Sequence, residues 1–223
     1  MRSEIKTSPH PAFPSGRPVE IGSRFLIVPE GAPSQEILPE QNVRIPVLLA
    51  RGRAFGSGLH ETTVSCLETL EKVTLQADHT VLDFGTGTGI LAIATLLLGA
   101  RNAVAVDIDS EAVKTCSRNA VFNNLRDRTM VVHGTLDALD PSTEFDLVLA
   151  NIHGNIILDN AQQLVSHTRD KGHLILSGLD YSDNQPVKRA MSSQGMEKVS
   201  VCFLEEYVTQ VWRRHLNREQ AKP

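Results

Sequence analysis

Val81-Leu82-Asp83-Phe84-Gly85-Thr86-Gly87-Thr88-Gly89 is the stretch on which the fold turns. Apolar, β-prone residues end on a carboxylate and then meet three alternating glycines, where a buried strand runs into a helix. Glycine lets a ligand reach the backbone there. Outward from this point the pattern repeats. TVLDF precedes a helix over about 88–98, NAVAVDI a helix over about 110–123, TMVVH follows, and FDLVLANI leads to a helix over 155–168. HLILSG then precedes a helix over 184–194, and strands near 197–204 and 207–213 close the series. Strands this apolar, each followed by an amphipathic helix, predict a doubly wound α/β domain with a mostly parallel sheet. The last two strands lack an intervening helix and predict an antiparallel edge. A further helix begins at Glu61, where Val64, Leu67, Leu70 and Val73 recur at helical spacing and Thr62 or Thr63 can cap the first turn.

Asp107 ends the second strand of the series at the position from which a carboxylate accepts both ribose hydroxyls of a nucleoside. A ribose-bearing cofactor is implied. Gly87-Thr88-Gly89-Ile90-Leu91-Ala92 also satisfies the looser dinucleotide fingerprint of a nicotinamide dehydrogenase. Asp83 separates the two readings. A carboxylate at the strand end repels a pyrophosphate but favours the amino group and sulfonium of S-adenosylmethionine. Glycines serving packing alone are the bland alternative, as is a capping role for Asp107. Asp109 and Ser110 are equally able to cap the helix that follows.

Two flanking segments add to the site. Ala54-Phe55-Gly56-Ser57-Gly58-Leu59-His60-Glu61-Thr62-Thr63 is a second glycine loop feeding a helix, whose N-terminal N–H groups can hold a carboxylate. Ala150-Asn151-Ile152 ends the fourth strand of the series. In open parallel sheets ligands sit outside the strands' carboxyl ends at the switch point, where Gly85, Asp107 and Asn151 converge.

AFGSGLHETT, VLDFGTGTGILAIATLLLGA, VAVDID, FDLVLANI and LILSG follow in order the motifs of the PrmA methyltransferases of ribosomal large-subunit protein eleven, which the chain resembles over about residues 24 to 213. The resemblance implies a seven-stranded class I methyltransferase sheet, with Thr63, Gly85, Asp107 and Asn151 contacting S-adenosylmethionine. It also implies a separate substrate-recognition domain ahead of a linker, whereas here a proline-rich segment of about fifty residues precedes AFGSGLHETT. His153-Gly154 replaces the apolar residue usual after Asn-Ile.

Eight of the eleven prolines fall between Pro9 and Pro46, so long helices are not expected there. Residues 1 to about 20 read as a flexible arm. RFLIV and VRIPVLL read as short strands, with Pro46 confining the second to an edge or a bulge. The expected division is an N-terminal arm over 1–50, a methyltransferase domain over 51–216 and a tail over 217–223. A net charge of -4 and a pI near 6.1 argue against sequence-independent phosphate binding, so no direct nucleic-acid partner is expected. Cys66, Cys116 and Cys202 form no Cys-x-x-Cys pair, and the histidines show no zinc spacing, so no metal is expected. With no apolar h-region or membrane-length apolar run, a cytoplasmic protein is expected.

Methyl transfer from a sulfonium is an in-line displacement, so alignment and exclusion of water are the protein's main tasks. An acceptor amine must be neutral, and Asn151 can orient it through a neutral carbonyl. His60 and His153 are candidates for its proton, each also readable as structural. Phe55 is readable as a shield for the sulfonium or as a core plug. His133, Thr135 and Leu136 are candidates for the adenine wall, and Trp212 and Phe203 are expected in the core. The site set is therefore Asn151 and His153 for catalysis, with Phe55, Thr63, Asp83, Gly85, Gly87, Gly89, Asp107 and Asn151 for the cofactor. The expected protein is a monomeric N-methyltransferase acting on a protein lysine or terminal amine, a ribosomal protein among the candidates. A small-molecule methyltransferase and a non-catalytic cofactor-binding regulator are the alternatives.

Overall fold

The computed structural model describes residues 16–32, 44–50 and 60–215. A small sheet of β1 (Val19–Ile21), β2 (Phe25–Pro29) and β3 (Ile45–Leu49) is followed by α1 (Glu61–Leu70). Then come β4 (Thr80–Phe84), α2 (Ile90–Leu97), β5 (Asn102–Asp107), α3 (Ser110–Phe122), β6 (Thr129–His133) and β7 (Phe145–Asn151). The chain continues through α4 (Gly154–Asp159), α5 (Ala161–Ser166), β8 (Thr168–Asp180), α6 (Asn184–Ser193), β9 (Met196–Phe203) and β10 (Tyr207–Arg214). β4 to β10 form one seven-stranded sheet in the order β6-β5-β4-β7-β8-β10-β9. Five of its strands run parallel, and β10 lies antiparallel between β8 and β9. The expected fold class and antiparallel edge are both observed.

Alternate strand residues feed two separate cores, as a pleated sheet buried on both faces demands. Val81, Ala103, Ala105, Leu147 and Leu149 face α1, α2 and α3, against Cys66, Leu67, Leu70, Ile93 and Cys116. Leu82, Phe84, Val106, Val148 and Ala150 face α4, α5 and α6, against Ile157, Leu164, Val187 and Met191. The chain leaves β4 in one direction through β5 and β6 and resumes beside it at β7. The order thus reverses between β4 and β7, opening a crevice at their carboxyl ends.

The small sheet joins the first of these cores through Ile21, Phe25, Ile27, Val47 and Leu49. β2 and β3 pair in parallel, and β3, which carries Pro46, is an edge strand. Its free edge is satisfied by α3. Asn123 exchanges bonds of 2.9 and 2.8 Å with the N–H and carbonyl of Leu48, and Asn119 Oδ1 accepts the Ala50 N–H at 2.7 Å. Asn119 also donates to the Thr88 carbonyl at 2.8 Å, so one buried amide couples β3 to the glycine loop.

Several details depart from expectation. The helix expected over 155–168 breaks at Asn160, whose φ of -106° and ψ of 10° end α4, and its second half stops at Ser166. β8 begins at Thr168, well before HLILSG, and carries a positive φ of 63° at Lys171. Trp212 is buried as expected, but Phe203 is not, because it ends the sheet's edge strand beyond helical cover. Val19–Ile21 form a strand within the stretch expected to be an arm. Residues 1–15 of that arm, the 51–59 segment and the 217–223 tail lie outside the described residues. No helix among the described residues is long and apolar enough to cross a membrane.

Candidate functional site

The glycine loop is held by hydrogen bonds from both sides. Gly85 N–H donates to the Val106 carbonyl at 2.8 Å, and Gly87 N–H donates to Asp107 Oδ2 at 2.9 Å. Gly89 is the N-cap of α2, with Cys116 packed against it. Asp83 is 1% exposed, and its Oδ2 accepts from Thr86 Oγ1 at 2.6 Å and from the Ala92 N–H at 3.2 Å. The strand-end carboxylate therefore also clasps the loop to the first turn of α2. Burial pushes its pKa up to about 6, with nearby Asp107 adding to the rise and the two hydrogen bonds opposing it.

Asp107 is half-buried and uses its second oxygen locally, Oδ1 accepting the Asp109 N–H at 3.0 Å. Asp109 caps α3, accepting from the Glu111 N–H at 2.9 Å, so the cap and the strand-end carboxylate are separate residues. Beyond Asp107, Ile108 is 69% exposed, and its carbonyl lies 3.0 Å from His133 Nε2. Thr135 is exposed near them, whereas Leu136 is buried in the second core. Ile108 was missed in the sequence. An apolar residue directly after a strand-ending carboxylate is the signal that would have marked it.

At the mouth of the crevice α1 brings Thr63 against Asn151. The Asn151 side chain donates from Nδ2 to Thr63 Oγ1 at 3.4 Å. Asn151 is 8% exposed, yet its Oδ1 has no partner, which makes it the sole such buried side-chain atom among the described residues. An acceptor withdrawn from water and left unmatched costs about 1–3 kcal/mol. A ligand or an ordered water in the crevice can supply the missing donor.

Two expectations about α1 are corrected. The cap is His60, whose Nδ1 accepts the Thr62 N–H at 3.3 Å and lies 2.8 Å from Thr62 Oγ1, while Thr62 and Thr63 are buried within the helix. The His60 carbonyl takes the Thr63 and Val64 N–H groups at 2.9 and 3.0 Å. These three N–H groups are already used and do not form the open carboxylate cradle that the loop suggested.

Beneath Thr63 lies a buried hydroxyl chain absent from the expected set. Ser65 donates to Thr209 at 2.9 Å, Thr209 lies 2.7 Å from Ser177 Oγ, and Ser177 approaches the Thr62 carbonyl at 3.5 Å. It ties α1, β8 and β10 together under the Thr63–Asn151 pair. These residues are scattered over the sequence, so no local pattern announces them. His153 is exposed and precedes α4 without a capping side-chain bond, directly past the Asn151 turn. Gly85 lies against that same turn, since a Cβ there would stand 2.3 Å from Ile152 Cγ2. The structure thus gathers Thr63, Gly85, Asn151 and His153 about one crevice end, with Gly87 and Asp107 on its other flank. Phe55 lies outside the described residues.

The sequence matches the family described as Ribosomal protein L11 methyltransferase (PrmA) over residues 15–215. A ribosomal protein L11 methyltransferase from Pelobacter propionicus is 39% identical over 202 residues, covering 89% of this chain and 63% of the relative. The Bacillus subtilis relative of the same name is 35% identical, covering 86% and 60% respectively. The chain thus spans about 60% of the length of the curated relatives it matches. A crystal structure of ribosomal protein L11 methylase from Lactobacillus delbrueckii subsp. bulgaricus superposes with a TM-score of 0.80 at 30% identity, covering 90% of this chain and all of that one. With the family matched over nearly the whole described chain and relatives well above 30% identical, the chain that carries the glycine loop on β4, the carboxylate ending β5 and the Asn turn ending β7 belongs to the ribosomal protein L11 methyltransferase (PrmA) family.

Proposed function

We propose that this chain is an S-adenosylmethionine-dependent N-methyltransferase that modifies a lysine or terminal amine of a protein, a ribosomal protein being the leading candidate. The observation that carries this reading is the unmatched Oδ1 of Asn151 beside Thr63, an acceptor waiting for an N–H donor at the carboxyl end of β7. The crevice also fits the methyl donor. Asp107 projects lone pairs for ribose hydroxyls, and exposed Ile108 offers an apolar face for the base. The carboxylates of Asp83, behind the loop, and Asp107, at its flank, favour a cationic sulfonium over a pyrophosphate. Bound there, S-adenosylmethionine supplies an activated methyl carbon.

The chain's own residues then have defined tasks. Asn151 Oδ1 accepts one N–H of the acceptor amine, which aims the nitrogen lone pair without stabilising the ammonium form as a carboxylate would. Thr63 holds the Asn151 amide from the other end, and the hydroxyl chain below fixes Thr63 through α1. The glycine loop and the Ile152 side chain close the crevice against water, which strengthens these polar contacts. His153, exposed past the turn, is placed to pass the released proton to solvent. Buried Cys66 and Cys116 carry free thiols raised to about 12 by burial, which fits a reducing cytoplasmic setting.

The test is calorimetric titration with S-adenosylmethionine and, separately, with NAD, followed by transfer of a labelled methyl group to ribosomal protein extract. Binding of S-adenosylmethionine alone, with label on an amine, is the expected result. Binding of NAD alone moves the assignment to an oxidoreductase. Binding of the methyl donor without turnover leaves the non-catalytic regulator.

A further inference from the structure

Past the Asn151 turn, the rim of the crevice is built by the end of β8, the β9–β10 hairpin and the start of α1. Tyr207, the first residue of β10, pairs with Asp180 across the sheet, and its ring meets the His60 imidazole edge-on at 5.3 Å. This links the hairpin to the α1 terminus that carries Thr63. Gly178 of β8 abuts the Ile152 backbone, and Asp183 packs onto Gly154, so the rim is continuous with the catalytic turn. On its outer side Tyr181 and Phe203 are 51% and 56% exposed, stacked at a centroid distance of 6.0 Å and an interplanar angle of 10°. The Tyr181 hydroxyl donates to the Leu204 carbonyl, so the stack is anchored to the hairpin tip.

The charged side chains of the rim segments have one sign. Glu61, Asp180, Asp183, Glu205 and Glu206 come from three of the four chain segments of the rim, residues 60–63, 180–183 and 204–207; neither these nor the fourth, 151–154, contains a lysine or arginine. Asp180, Glu206 and Glu61 all act on the Tyr207 hydroxyl, which places their negative field at one point. An exposed aromatic pair on a rim whose charged side chains are carboxylates is suited to cations, through ring faces and through charge. The unmatched Asn151 acceptor at the head of the same rim is open to a donor from a bound ligand.

We infer that the rim of Tyr181, Phe203, Asp180 and Glu206 seats a cationic segment of the methyl-accepting protein, delivering its target amine to Asn151. The inference rests on the amine-methyltransferase reading. A short peptide segment whose lysine is flanked by arginines satisfies both ends: flanking guanidinium groups lie over the stacked rings and against the carboxylates, and the lysine enters the crevice.

The probe is a fluorescein-labelled peptide with one lysine flanked by arginines, compared with the same peptide carrying glutamates, followed by anisotropy on the full chain with S-adenosylmethionine present. The wild-type protein is expected to bind the arginine peptide and not the glutamate one. Asp180→Asn with Glu206→Gln is expected to weaken binding roughly five- to ten-fold at low salt. Phe203→Ser, a change on an exposed ring, is expected to weaken it by a similar factor. Asp78→Asn with Asp127→Asn, exposed carboxylates at the opposite ends of the strands, is expected to leave it unchanged. An equal loss in that remote pair, unchanged binding in the rim variants, or a wild-type protein that takes both peptides or neither overturns the proposal. The affinity of each variant for S-adenosylmethionine reports that it is folded. A wild-type protein that binds no S-adenosylmethionine sinks the methyltransferase reading instead, whatever the peptides do.

Discussion

Gly178 lies so close to the backbone of Ile152 that a Cβ on it would stand 2.7 Å from the Ile152 carbonyl oxygen. Its φ of +75° adds a second reason for glycine, because L side chains avoid that region. The glycine at the end of LILSG therefore holds the Asn151–His153 turn flush against β8. Gly178→Ala is expected to destabilise the fold by about 2 kcal/mol or more and to displace Asn151 from Thr63. Denaturant unfolding checks the first effect. A turnover loss exceeding any loss of cofactor affinity checks the second.

Asn151→Ala is expected to change stability by less than about 1 kcal/mol, because loss of the hydrogen bond to Thr63 offsets removal of a buried acceptor that the fold does not satisfy. Turnover is expected to fall roughly a hundred-fold, with cofactor affinity nearly kept. Calorimetry and single-turnover methyl transfer separate the two. A cofactor affinity that falls while turnover at saturation persists assigns the side chain to the cofactor.

Asp107→Ala is expected to weaken S-adenosylmethionine binding by about 2–4 kcal/mol through the loss of two charge-assisted hydrogen bonds. Because Asp107 also holds the Gly87 and Asp109 N–H groups, Asp107→Asn, which keeps one acceptor, is expected to bind with intermediate affinity. Titration of both variants at one ionic strength decides the order.

Asp83 has its carboxyl raised from 3.8 to about 6 by burial, so protonation favours the folded state. Its contribution is full below pH 4 and is lost as pH rises through about 6, amounting to about 3 kcal/mol in all. Asp83→Asn is expected to flatten the fall in stability between pH 4 and pH 7, measured by urea unfolding of the protein without cofactor. An identical pH profile in the variant removes Asp83 as its source.

The sequence by itself determined the fold class, a mostly parallel sheet with an antiparallel edge, because apolar strands alternating with amphipathic helices allow few arrangements, whereas the order of the strands came from the structure. It also marked Asp83, the three loop glycines, Asp107 and Asn151, since each sits at a strand end where local chemistry is legible. The tertiary structure alone decided what lies between such strand ends. The Thr63–Asn151 pair joins residues 88 positions apart, and Ser65, Ser177 and Thr209 meet only after α1, β8 and β10 pack. The His60 cap was hidden because serine, threonine and aspartate are the habitual caps, and imidazole takes the role only when its backbone approach allows it. Phe203 read as core because strand periodicity reports a face, whereas its exposure depends on β9 being an edge. Periodicity is a local property of the chain, and burial at an edge or a shared hydroxyl is settled only by which elements become neighbours.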